Sequence, residues 1–149
     1  MSSIRNQFHQ LADDPDTLER ESQEAILIHP DRGLAEMRTQ AESRRWWSQL
    51  LAIAKDDASR MKDQRDIALC DARERCRERL EDERPTEKRL DSEAIRDPHY
   101  QRVLSAYRAA ELLAAKLQGI VDAFDDRAKM LQSMNSRACA EFNGLPRGA

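Results

Sequence analysis

The chain has 149 residues, 25 of them basic and 28 acidic, for a formal net charge of −3; 40% are hydrophobic, 36% are charged, and only four are glycine and five proline. That length suits one domain with a modest core. Much charge, few turn residues and little Val or Ile disfavour a sheet protein and favour long solvated helices, and the acidic balance is not the bulk signature of a DNA-binding protein, so any anion-binding surface must come from local presentation of arginine and lysine.

Residues 1–33, with three basic and seven acidic side chains, form an acidic arm. Ile4, Phe8 and Leu11 share helical spacing until Asp13-Asp14-Pro15-Asp16 interrupts it, and Glu24 to Ile28 suggests a second short helix stopped by His29-Pro30-Asp31. Loosely packed short helices or partial disorder are expected there. Pro30-Asp31-Arg32-Gly33 reads as a turn, and a helical domain follows over residues 34–142.

Its first element is a long helix over residues 34–80, a stretch with neither Gly nor Pro. Trp47, Leu50, Ala54, Ala58, Met61, Ala68, Ala72, Cys76 and Leu80 recur at steps of three or four, apart from one gap filled by Arg65; they define one helix face. Such a helix is roughly 70 Å long and exceeds what a small monomeric core covers. Glu81-Asp82-Glu83-Arg84-Pro85 ends it and opens a connector over residues 81–97, where Thr86 to Arg96 suggests a short helix. Asp97-Pro98 reads as an N-cap and first helical position.

The second long helix covers residues 98–140. Val103, Ala110, Leu117, Phe124 and Leu131 repeat every seven residues, and Tyr107, Ala114, Val121 and Ala128 form a second row four residues later, which is a coiled-coil pattern. Leu113 and Ile120 widen the stripe, so several neighbours are expected, in a bundle or oligomer. Leu113, Leu117, Ile120, Val121, Phe124 and Leu131 are the expected oligomerisation residues. Gly119 inside the pattern suggests close helix approach, and Asn143-Gly144-Leu145-Pro146 begins a tail over residues 143–149. The expected fold is all-α: a long antiparallel helical hairpin or coiled coil with short accessory helices, assembling into a helical bundle or ring.

Three cysteines, Cys70, Cys76 and Cys139, are an odd count without a secretory leader, which predicts free thiols in a reducing, cytoplasmic compartment. No apolar run approaches the roughly 20 residues needed to span a bilayer. His9, His29 and His99 are isolated and the cysteine spacing fits no zinc site, so no metal or other cofactor is expected. No nucleophile elbow or Gly-rich phosphate loop occurs, and Asp122, Asp125 and Asp126 read as a solvated face rather than a carboxylate pair, so no enzyme activity is expected.

One run carries chemistry. Arg73, Arg75, Arg77 and Arg79 alternate with Glu74, Cys76 and Glu78. As a salt-bridged surface, Glu74 would meet Arg77 and Glu78 would meet Arg75. As a phosphate-binding surface, the four arginines with Lys62 and Arg65 would repeat around an oligomer and hold a nucleic-acid backbone. Trp46 and Trp47 follow Arg44-Arg45 and point about 100° apart on a helix, one toward the core and the other toward an edge.

The order of features resembles the UvsY-like phage recombination mediators. The resemblance covers about Leu34 to Arg137. It runs through a Trp near the start of a long helix, then Ile67-Ala68-Leu69 and Ala72-Arg73. The connector from Thr86-Glu87 through Ala94-Ile95 leads to Asp97-Pro98-His99-Tyr100. The last part holds Tyr107 and the ending Arg127-Ala-Lys-Met130-Leu131-Gln132-Ser-Met134. The resemblance implies a helical homo-oligomer that binds single-stranded DNA and helps load a RecA-like recombinase onto DNA covered by single-strand-binding protein. Such a protein serves phage DNA recombination, repair and replication in the host cytoplasm. It also implies DNA contacts near Arg73, with Arg65, Arg75 and Arg77 as neighbours. The alternative is a non-catalytic coiled-coil scaffold or adaptor without nucleic-acid binding. In a further variant, the acidic arm folds onto the arginine face and blocks it.

Overall fold

The structure, a computed structural model, describes residues 3–27, 33–80 and 85–144. The turn read at Pro30-Asp31-Arg32, the acidic break at Glu81-Asp82-Glu83-Arg84 and the tail from Leu145 lie outside the described residues. The chain is all-α: α1 (Ile4–Asp13), α2 (Pro15–Ile26), α3 (Gly33–Arg79), α4 (Glu87–Ile95) and α5 (Pro98–Gly144), with no strand among the described residues. None of these helices is long and apolar enough to cross a membrane.

Local chemistry sets the helix starts. The Asp13–Asp16 stretch, read above as an interruption, is a junction between two helices. Asp14 caps α2, accepting from the Thr17 backbone N–H at 3.1 Å and its hydroxyl at 2.6 Å, and Pro15 takes the first turn, where its missing N–H costs nothing. The Thr17 hydroxyl, then its N–H, hold the Asp14 carboxyl below the usual carboxylate range. Thr86 caps α4 through a contact from the Arg89 N–H. Asp97 caps α5, accepting from the backbone N–H groups of His99 and Tyr100, both at 2.9 Å.

The chain forms two compact units, and α3 and α5 each contribute a stretch to both. One unit comprises residues 1–51 and 116–149. Its buried side chains come from four helices: Phe8 and Leu11 of α1, Leu18 of α2, Trp47, Leu50 and Leu51 of α3, and Leu117, Val121, Phe124 and Leu131 of α5. Over its described part the acidic arm forms the two short helices α1 and α2, with Phe8, Leu11 and Leu18 buried. Trp46 donates from Nε1 to Gln7 Oε1 at 3.4 Å, tying α3 to α1, and meets Trp47 edge-on at 4.8 Å.

This unit also buries a polar clasp. Gln40 donates to the Phe124 carbonyl at 2.7 Å and accepts from the buried Arg127 guanidinium, which also reaches the Leu27 carbonyl at 3.3 Å. Arg44 grips Asp125 with two bonds, at 2.5 and 3.1 Å, and that contact holds the Asp125 carboxyl below its usual range.

The expectation that the α5 stripe needs other copies of the chain is corrected here. Leu117, Val121, Phe124 and Leu131 are buried within a single chain, and only Leu113 and Ile120 remain half-exposed. Their unit also holds buried side chains of α1, α2 and α3, and Gln40 of α3 reaches the Phe124 carbonyl. The close approach expected at Gly119 is also absent: the glycine is exposed, and a Cβ built there meets nothing within 4 Å.

The second unit, residues 52–115, has a core of Ala68, Ala72, Cys76, Leu80, Leu90, Ala94 and Tyr100, with Leu69, Val103 and Leu104 against it. The α3 stripe read from sequence is the buried face, and small residues dominate it. Ala68, Ala72 and Ala94 let α4 and the start of α5 lie close to the end of α3.

Candidate nucleic-acid interface

The arginine run occupies the last two turns of α3. On a helix, residues two apart point about 200° apart and residues four apart share a side. Arg73 and Arg77 thus lie on one flank of the buried Ala72–Cys76–Leu80 stripe, and Arg75 and Arg79 lie on the other. The same logic applies to α4, where Leu90 and Ala94 are buried at 2% and 0% exposure. Glu87 and Asp91 fall on one side of them, and Glu93 and Asp97 on the other.

The two helix ends meet flank to flank. Arg73 pairs with Asp91 at 2.7 Å and Arg77 with Glu87 at 3.7 Å; Arg75 pairs with Asp97 at 3.0 Å and Arg79 with Glu93 at 3.0 Å. Each step of four forward along α3 matches a step of four back along the α4 segment, so the two run in opposite directions. The salt-bridged reading predicted partners within α3 itself, Glu74 for Arg77 and Glu78 for Arg75. Those pairs do not form, because carboxylates across the seam reach the guanidiniums instead.

The four pairs differ in commitment. The arginine side chains are 44%, 48%, 61% and 62% exposed for residues 73, 75, 77 and 79. Ion pairs this open are each worth only about 0–1 kcal/mol and exchange readily. Arg75 is the most tied, since its partner Asp97 is 18% exposed and also caps α5. The Tyr100 N–H first, and Arg75 after it, hold the Asp97 carboxyl below the usual range.

Arg65 and Lys62 lie earlier on α3. The Arg65 guanidinium stacks 4.7 Å above the Tyr107 ring and binds Asp66 Oδ1 at 2.6 and 2.9 Å, contacts that leave it half-buried and keep it charged. Tyr107 in turn donates its hydroxyl to Glu111, which pushes the phenol above its usual value. Lys62 is exposed and makes no ion pair among the described residues. The structure therefore brings the four arginines together around one seam but on opposite flanks, not along one stripe.

Sequence reasoning missed the four carboxylates Glu87, Asp91, Glu93 and Asp97. A signal was there: their spacing mirrors that of the arginines. The aspartates in the middle of α5 do not form a joint site. Asp122 accepts from Gln118 at 2.8 Å, Asp125 is held by Arg44, and Asp126 pairs with Lys129 at 2.8 Å. Among the described residues no group of three or more His, Cys, Asp or Glu side chains is placed to hold a metal ion. Cys76 is buried, while Cys70 and Cys139 are exposed thiols. No family model matches the chain, and no curated protein or solved structure compared with it is similar.

Proposed function

We propose that this chain is a non-catalytic recombination mediator that binds single-stranded DNA as a homo-oligomer and assists loading of a RecA-like recombinase on DNA coated by single-strand-binding protein. The observation that supports this reading is the set of half-exposed guanidiniums at the end of α3, each paired with a carboxylate of the α4 segment, Arg75 the most tightly. Arg73, Arg75, Arg77 and Arg79 then supply phosphate contacts, with exposed Lys62 and the stacked Arg65 beside them. Modest, salt-sensitive backbone binding suits a protein that must hold a strand and hand it over. The resemblance in the connector and in α5 points the same way.

In this reading α3 and α5 form a long coiled-coil hairpin. The apolar surface left for neighbouring copies is on α5: Leu112, Met130 and Met134, 59%, 58% and 41% exposed, with half-buried Leu113 and Ile120. Fluorescence anisotropy with labelled oligo-dT tests the DNA contact. Binding is expected at 50 mM salt, to fall steeply as salt rises, and to fall again in Arg73→Ala/Arg77→Ala. Absence of wild-type binding at 50 mM salt would remove the reading.

A scaffold or adaptor without nucleic-acid binding is the second reading. One observation favours it: each arginine of the run already has a carboxylate partner across the seam. Under it, Arg73→Ala/Arg77→Ala loosens α4 and leaves nothing to measure with DNA.

A further inference from the structure

The carboxylates facing the arginine run all come from one short segment, α4 and the Asp97 cap that follows it. We propose that this segment is a built-in competitor of the DNA backbone, its carboxylates occupying the guanidiniums that phosphate would take. The proposal rests on the DNA-binding reading and adds a regulation to it. It places the blocking element on α4, in the same unit as the arginines, as an alternative to the acidic arm of residues 1–33.

The physics is that of two anions sharing one cation. A guanidinium offers its planar fork to a carboxylate or a phosphate with similar geometry. Leu90 and Ala94, buried at 2% and 0% exposure, hold α4 against α3, so its carboxylates stay at a fixed, high local concentration whatever the protein concentration. The arginines are half-exposed and their pairs individually weak, Arg75–Asp97 being the most tied, so a polyanion that engages several arginines at once displaces the carboxylates. The displaced carboxylates then take up cations from solution, which partly cancels the counterion release that drives nucleic-acid binding. Two consequences follow: the native chain binds single strands more weakly than its arginine count suggests, and with a shallower dependence on salt.

The test compares three full-length proteins on labelled oligo-dT over 50–300 mM salt. They are the wild type, Glu87→Gln/Asp91→Asn/Glu93→Gln, and a control with the same charge change on α2, Asp16→Asn/Glu21→Gln/Glu24→Gln. Asp97 is left intact because it caps α5. The α4 variant is expected to bind about tenfold more tightly than the α2 control, with a log–log salt slope steeper by about 2, near 0.7 for each of three freed arginines. Binding by the α4 variant at salt concentrations above 50 mM where the wild type has already let go also supports the competitor. Equal gains in the two variants, or weaker binding by the α4 variant, overturn it and leave the DNA-binding reading standing. No binding by any of the three overturns both. If circular dichroism shows that the triple variant has lost helix, Asp91→Asn alone carries the test: it releases Arg73, and an unchanged affinity and slope would overturn the proposal.

Discussion

At the scale of single residues, Asp97 joins two roles, capping α5 and anchoring Arg75. Its carboxyl is depressed in the folded chain, so the unfolded chain binds more protons as the pH drops into the acid range. The stability this gives is present above the ordinary carboxylate value of about 4 and is lost as pH falls through the lower folded value. Asp97→Asn keeps a good capping side chain but removes the charge. Its melting temperature is expected below that of the wild type at pH 7, with the gap closing as the pH is lowered well below 4. Thermal melts across that range check it; a gap that stays constant would show that the charge contributes nothing. Gly119 offers the opposite case. Its added Cβ meets no atom within 4 Å and its helix is uninterrupted, so Gly119→Ala is expected to stabilise the chain by up to about 1 kcal/mol. A lowered melting temperature in that variant would mean that an assembled partner approaches there.

Among the elements, α4 is the one whose placement decides the candidate site. It has only nine residues and is too short to be stable alone, so tertiary contact holds it. Leu90 is the anchor, and Leu90→Ala is expected to cost about 2–4 kcal/mol as the pocket it fills is left partly empty. Hydrogen exchange should then quicken first at residues 87–95. If the ion pairs alone positioned α4, exchange there would instead respond to 1 M salt and not to loss of Leu90. Ions screen exposed pairs strongly at that concentration and leave apolar packing intact.

For the molecule as a whole, the question is which apolar surface belongs to the chain and which to its neighbours. Phe124 is fully buried, in a unit whose buried side chains come from four helices. Phe124→Ala is therefore expected to lower stability by about 3–5 kcal/mol while leaving the mass by light scattering unchanged under conditions where the protein stays folded. A drop in mass without a drop in the melting temperature would return that residue to an interface between copies. Light scattering with and without oligo-dT then reads whether DNA and assembly are linked, as the mediator reading expects.

Periodicity alone made the two long helices and their buried faces legible. Trp47, Leu50, Ala54, Ala68, Ala72, Cys76 and Leu80 repeat at the helical step, and that repeat is a property of the chain, independent of what covers it. The cap at Asp97-Pro98 was equally local. What covers the stripes was not local. Width of an apolar face says how much must be hidden but not by what, and only the tertiary structure showed that Leu117, Val121, Phe124 and Leu131 are buried within one chain. The partners of the arginines were hidden for the same reason. Within a helix, charge pairs follow from spacing; across a seam they depend on register and direction, which Leu90 and Ala94 set by burial. Sequence thus determined where the guanidiniums stand, and tertiary structure alone decided which anions they meet.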